Sequence, residues 1–143
     1  MQPPAVAPSM SSVPAAAHAP LRAEDGATLA RIDLLRGRLA QARSDAVAAL
    51  LFLSDARQDC DALAEHCDAA GWAMLADGVT LLAGALSRCL PTEPRHLALI
   101  GLLVDALYAL RRAELRPDMN QAGHDLLRGL RLAADRELGG RAS

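Results

Sequence analysis

The chain has no lysine: all 15 of its basic residues are arginine, set against 17 acids. That absence excludes Schiff-base chemistry and any phosphate loop built on a lysine. Phe, Trp and Tyr occur once each. A net charge of −2, arginines scattered among acids and so few stacking rings leave no basis for nucleic-acid binding. The longest apolar run, Leu97 to Leu110, spans fourteen residues and is broken by Asp105, whereas a membrane-crossing helix needs about 20. The N-terminus has neither a positive stretch nor a continuous apolar one, so no secretory signal is expected. Three cysteines, an odd number inside helical patterns, point to free thiols in a reduced, cytoplasmic setting rather than a disulfide framework. There is no H-E-x-x-H, no G-x-S-x-G and no Gly-rich phosphate loop. No enzyme activity, cofactor or metal is expected.

What is present is alanine and leucine. They dominate an apolar content of 52%, and both favour helices, while the β-branched and aromatic residues that suit strands are scarce. The fold class expected is all-α. Pro3, Pro4, Pro8, Pro14 and Pro20 stand among Ala and Ser, so residues 1–23 read as a disordered Pro/Ala-rich leader. Residues 24–140 read as one helical bundle domain, large enough to bury a core without disulfides.

Along that domain the apolar residues recur at helical spacing. Leu29, Ile32, Leu35 and Leu39 form a first stripe, with Arg31 and Arg38 outside it. A continuous helix from Ala27 to Ala70 would be about 65 Å long, so a break is expected near Ala42–Asp45, with Ser44 or Asp45 as cap. The second helix then buries Leu53, Ala56, Cys60, Leu63 and Cys67. Val47, Leu50 and Leu51 point the other way, as in a central helix covered from both sides. Cys60 and Cys67 lie about 10.5 Å apart along such a helix, too far for a disulfide or a shared metal, and with His66 turned aside they read as buried thiols. Gly71 ends this helix. Thr92 caps the next but one, with Pro94 in its first turn; that helix buries Leu97, Ile100, Leu103, Val104, Leu107 and Leu110 and turns Asp105 and Arg112 to solvent, with His96 exposed. The last, from about Met119 to Leu138, turns Ala122, Leu126, Leu127, Leu130 and Ala133 or Ala134 inward. Short connections make successive helices antiparallel. The expected architecture is an up-down antiparallel four-helix bundle with an additional helix.

The stretch from Trp72 to Cys89 organises the rest. Trp72, Leu75, Val79, Leu82, Leu86 and Cys89 alternate at spacings of three and four, which stacks them on one side of a helix. Asp77, Thr80, Gly84, Ser87 and Arg88 fall on the other, and the glycine leaves a notch there.

The run from Leu51 to Leu86 resembles the central part of a histidine phosphotransfer (HPt) domain. Members commonly carry an F-L-x-D-A-like helix, then G-D-W, then L-A and the motif H-x-x-K-G. Phe52-Leu53-Ser54-Asp55-Ala56, Ala70-Gly71-Trp72 and Leu75-Ala76 occupy the first three pieces. The motif then falls on Thr80-Leu81-Leu82-Ala83-Gly84. Thr80 stands where the phosphorylated histidine belongs, Ala83 where the lysine belongs, and only the glycine is kept. His66 cannot restore the motif, since Ala69 and Ala70 take the lysine and glycine offsets. His124-Asp125-Leu126-Leu127-Arg128-Gly129 has suitable residue types one position too far apart.

The resemblance implies a non-catalytic signalling module that docks a response-regulator receiver domain or a histidine kinase without carrying phosphate. The implied contact residues are Asp77, Thr80, Leu81, Gly84 and Arg88, with Leu81 an exposed apolar anchor and Arg88 on the polar rim. The residues themselves leave two alternatives open: a helical adaptor or chaperone that takes a partner helix in an apolar groove, and a homodimer formed through the bundle ends.

Overall fold

A computed structural model describes residues 26–139; the leader assigned to residues 1–23 lies outside them. The described residues form five α-helices and no strand. α1 covers residues 26–44, α2 Ala46–Ala70, α3 Ala73–Arg88, α4 Pro94–Leu115 and α5 Asn120–Ala134. A 3-10 turn, Pro117–Met119, precedes α5, and a π-helical turn, Asp135–Gly139, follows it. None of the helices is long and apolar enough to cross a membrane.

Each boundary has a local cause. Asp45 adopts an extended backbone (φ −146°, ψ 121°) and its side chain accepts from the Val47 N–H, so α1 stops and α2 begins within one residue. Gly71, at φ +73°, is the left-handed residue that ends α2, a conformation that glycine adopts without the Cβ penalty. At α4 the expected cap shifts by one residue: Glu93, not Thr92, accepts from the Arg95 N–H, and Pro94 takes the first helical position. α3 has no cap of its own. Its Leu75 N–H donates at 2.9 Å to Glu114, near the C-terminus of α4, so an acid from a neighbouring helix satisfies an otherwise orphaned donor.

Pairings along the chain show an up-down bundle. Arg31 and Arg38 of α1 reach Asp59 and Asp55 of α2 in antiparallel register. α1 also runs antiparallel to α4, where Tyr108 donates to Asp33 and lies under the Arg36 guanidinium. α3 is wedged between α2 and α4. α5, the additional helix, lies along α3 and α4, with Gly123 against Met74 and Ala113 and with Arg95 bonded to Glu137. The core runs the length of the bundle through Ile32, Leu35, Phe52, Leu63, Leu75, Leu82, Ile100, Leu103, Leu107, Leu110 and Leu127.

Several side chains depart from their expected positions. Val47, Leu50 and Leu51 are 62–64% exposed, because α1 and α3 flank the opposite side of α2 and none of the described elements covers its outer face. Phe52 takes the core position in place of Leu53, which is half-buried. Leu29 is likewise half-buried. On α5 the inward residue is Gly123 rather than Ala122, which is exposed; a Cβ at 123 would come within 2.6 Å of the Met74 sulfur, so the close approach needs glycine. His96 is half-buried, its Nδ1 accepting from the Leu90 N–H at 3.0 Å. Arg31 and Arg38, outside the apolar stripe of α1, converge on Asp59, the sole buried acid among the described residues.

Candidate partner-docking face of α3

The inward side of α3 matches its pattern residue for residue. Trp72, Leu75, Val79, Leu82, Leu86 and Cys89 are all buried, none more than 6% exposed. Trp72 sits just ahead of the helix, at the cap position. Gly78 lies on the flank towards α4, where a Cβ would fall 2.4 Å from Leu110 Cδ1 and 3.2 Å from Leu107 Cδ2. Packing therefore accounts for this glycine.

Gly84 has no such account. No atom lies within 4 Å of the place its Cβ would occupy. Gly37 and Gly129 are equally open, so openness alone does not single it out; its position on the face does. One turn before it, Thr80 is exposed and its hydroxyl donates to the Ala76 carbonyl at 3.0 Å. One turn after it, Arg88 closes the helix, exposed and in no ion pair among the described residues. A cation there complements the negative end of the helix. Ser87 donates to the Gly84 carbonyl at 2.7 Å, which holds a small polar side chain beside the notch. Asp77, more than half exposed, stands 4.0 Å from Arg131 of α5, too loose a pair to contribute much.

Leu81 differs from expectation. It is half-buried and packed on the core margin. By its angle it lies two turns from Met74, the residue against which Gly123 of α5 packs. The open face is thus a narrow strip of Asp77, Thr80, Gly84, Ser87 and Arg88, with Leu81 contributing an edge rather than a protruding anchor.

The chemistry of the strip is limited. The Thr80 hydroxyl is directed at a backbone carbonyl, and among the described residues no imidazole or carboxylate is bonded to it to activate it as a nucleophile. His124 is exposed on α5. His66 is half-buried on α2 with its Nδ1 sealed from solvent and unbonded. The three cysteines are buried free thiols. Burial pushes Cys60 up to about 12, helped by the Asp59 and Asp61 carboxylates. Cys67 is pushed up to about 12 by burial and by Glu114 and Asp68, and Cys89 to about 11 by burial alone. Neutral thiols at these depths are poor nucleophiles at neutral pH, and among the described residues no group of three or more His, Cys, Asp or Glu side chains is placed to hold a metal ion.

Two features escaped the sequence reading. The Arg31–Arg38–Asp59 cluster had a legible signal: two arginines seven apart on α1 opposite two aspartates four apart on α2. The Glu114 contact with α3 joins residues 39 apart in sequence and left no local trace.

The fold and the strip define an all-α bundle that presents one polar, notched helix face. Comparison with family models, with curated proteins and with solved structures gave no match.

Proposed function

We propose that the protein is a non-catalytic, HPt-like interaction module that docks a receiver-type signalling domain on the exposed strip of α3 without carrying phosphate. The observation that supports this reading most is the open notch at Gly84, between a solvent-facing Thr80 and an Arg88 that is in no ion pair among the described residues. A glycine inside an exposed helix costs about 1 kcal/mol relative to alanine, and here no neighbouring helix needs it. Clearance for an approaching partner is a use that fits. Thr80 in place of the histidine, with its hydroxyl bonded to the backbone, supports docking without relay. A cytoplasmic location belongs to the same reading.

Two experiments test it. Purified receiver domains retain the wild-type chain in a pull-down and lose it when Gly84→Arg fills the notch; binding that survives the substitution removes the docking face. Incubation with a phosphorylated receiver leaves no acid-labile phosphate on the protein. Phosphate on His124 or His66 would overturn the claim that it carries none.

A further inference from the structure

A second surface, at the other edge of α2, does not depend on the α3 reading. Val47, Leu50 and Leu51 stand 62–64% exposed within little more than one helical turn, and Leu90, just after α3 at the same end of the bundle, is 58% exposed. Farther along the outer face of α2 the residues turn polar, as Ser54, Arg57, Gln58 and Asp61. Val47, Leu50 and Leu51 therefore form a bounded ridge, where isolated surface leucines would need no explanation. Beside the ridge the ends of α1, α2 and α4 enclose a cleft of about 440 Å³, walled by Ala46, Ala49, Pro94 and Leu97. Arg43 and Asp45 also line it. Arg43 is in no ion pair among the described residues, and Asp45 is engaged only with its own helix N-terminus.

We propose that this end of the bundle pairs with a second copy of the same chain about a two-fold axis. The patch is self-complementary in the sense such symmetry demands. An apolar ridge adjoins an apolar-walled cleft, so two copies can each seat a ridge in the other's cleft. A positive and a negative side chain flank that cleft, so a two-fold pairing can set Arg43 of one copy against Asp45 of the other. A stable pair takes about 800 Å² from each partner, and in such a pair the ridge would form the apolar centre, with the cleft and its charged margin around it. A foreign partner would have to bring both an apolar surface for the ridge and charges of both signs for this margin; a second copy carries both.

Sedimentation of the full-length chain at about 100 µM, which populates any pair tighter than ~10 µM, reads a mass twice the 15.0 kDa of one chain. L50E/L51E falls to a single chain with its helical circular dichroism unchanged, while Leu132→Glu on α5, equally exposed at 64%, keeps the double mass. Because the native thiols are buried, Leu51→Cys carries a photoreactive label selectively, and this readout survives even if the double variant unfolds. Cross-links to α2 or the cleft of a second copy support the pairing. A wild-type mass of one chain overturns it, as do cross-links confined to residues 1–25 of the same chain or to foreign proteins alone.

Discussion

At the scale of single residues, Asp59 is the most consequential side chain outside the apolar core. It is 2% exposed, with Arg31 at 3.2 Å and Arg38 at 3.0 Å. Only the Arg31 contact has hydrogen-bond geometry, so Arg38 contributes mainly charge, shared with Asp55. Removing one partner of a buried pair costs up to several kcal/mol. Here both arginines are about a third exposed and can turn to water once released, which reduces the penalty. Asp59→Ala should lower the unfolding free energy by about 2 kcal/mol in a urea titration; a loss within error would mean that the cluster only ornaments the α1–α2 seam.

The thiols give a pH signature with a definite sign. Their folded values, about 11 to 12, lie above the 9.0 of an exposed cysteine. Above pH 9 the folded state keeps protons that the unfolded state releases, so this contribution is full below pH 9 and is lost as pH rises through 11–12. In native protein at pH 8 an aromatic disulfide reagent should find no fast-reacting thiol, and in concentrated urea it should find all three. Rapid labelling of the folded chain would place a cysteine at the surface and contradict the buried assignment.

Between elements, two glycines of α3 make opposite predictions. Gly78→Ala drives a methyl group into Leu110 and Leu107 and should destabilise the bundle by about 1–3 kcal/mol through overpacking. Gly84→Ala meets nothing and should stabilise it by roughly 0.5–1 kcal/mol, through a better helix and a less disordered unfolded chain. Paired thermal melts decide the matter; shifts of the same sign would show that the face of α3 has been misassigned. Glu114→Ala should cost about 1 kcal/mol, the usual worth of a lost cap, because the Leu75 N–H has no other partner within the helix.

Helix boundaries and the inward stripe of α3 were legible because caps, glycine and the helical period are local signals. Asp45, Gly71 and Pro94 announce their roles within a few residues. The coverage of α2 was not legible. Apolar residues on two sides suit both a doubly covered helix and one with an exposed ridge, and only the placement of α1 and α3 distinguishes them. Leu81 departs from its pattern for a related reason: its own helix assigns it to the solvent margin, and its packing against the core is a tertiary contact without a local signal.

For the whole molecule, the bundle separates two surfaces of different character. The α3 strip is polar, with a gap at its centre; the ridge of α2 with Leu90 is apolar and lies beside a cleft. The proposed docking of a signalling domain belongs to the first and the proposed pairing to the second, so each can fail without the other. Of this arrangement the sequence carried the strip, whose residues sit within twelve positions of one helix. It could not carry the cleft, which is assembled from the ends of three helices.

The docking claim is tested most directly by isotope-edited NMR of the full chain titrated with an unlabelled receiver domain. Shift changes centred on Asp77, Thr80, Gly84 and Arg88, and abolished by Gly84→Arg, are the predicted result. Changes centred on Val47, Leu50 and Leu51, or none at saturating receiver, would contradict the assignment of the α3 face.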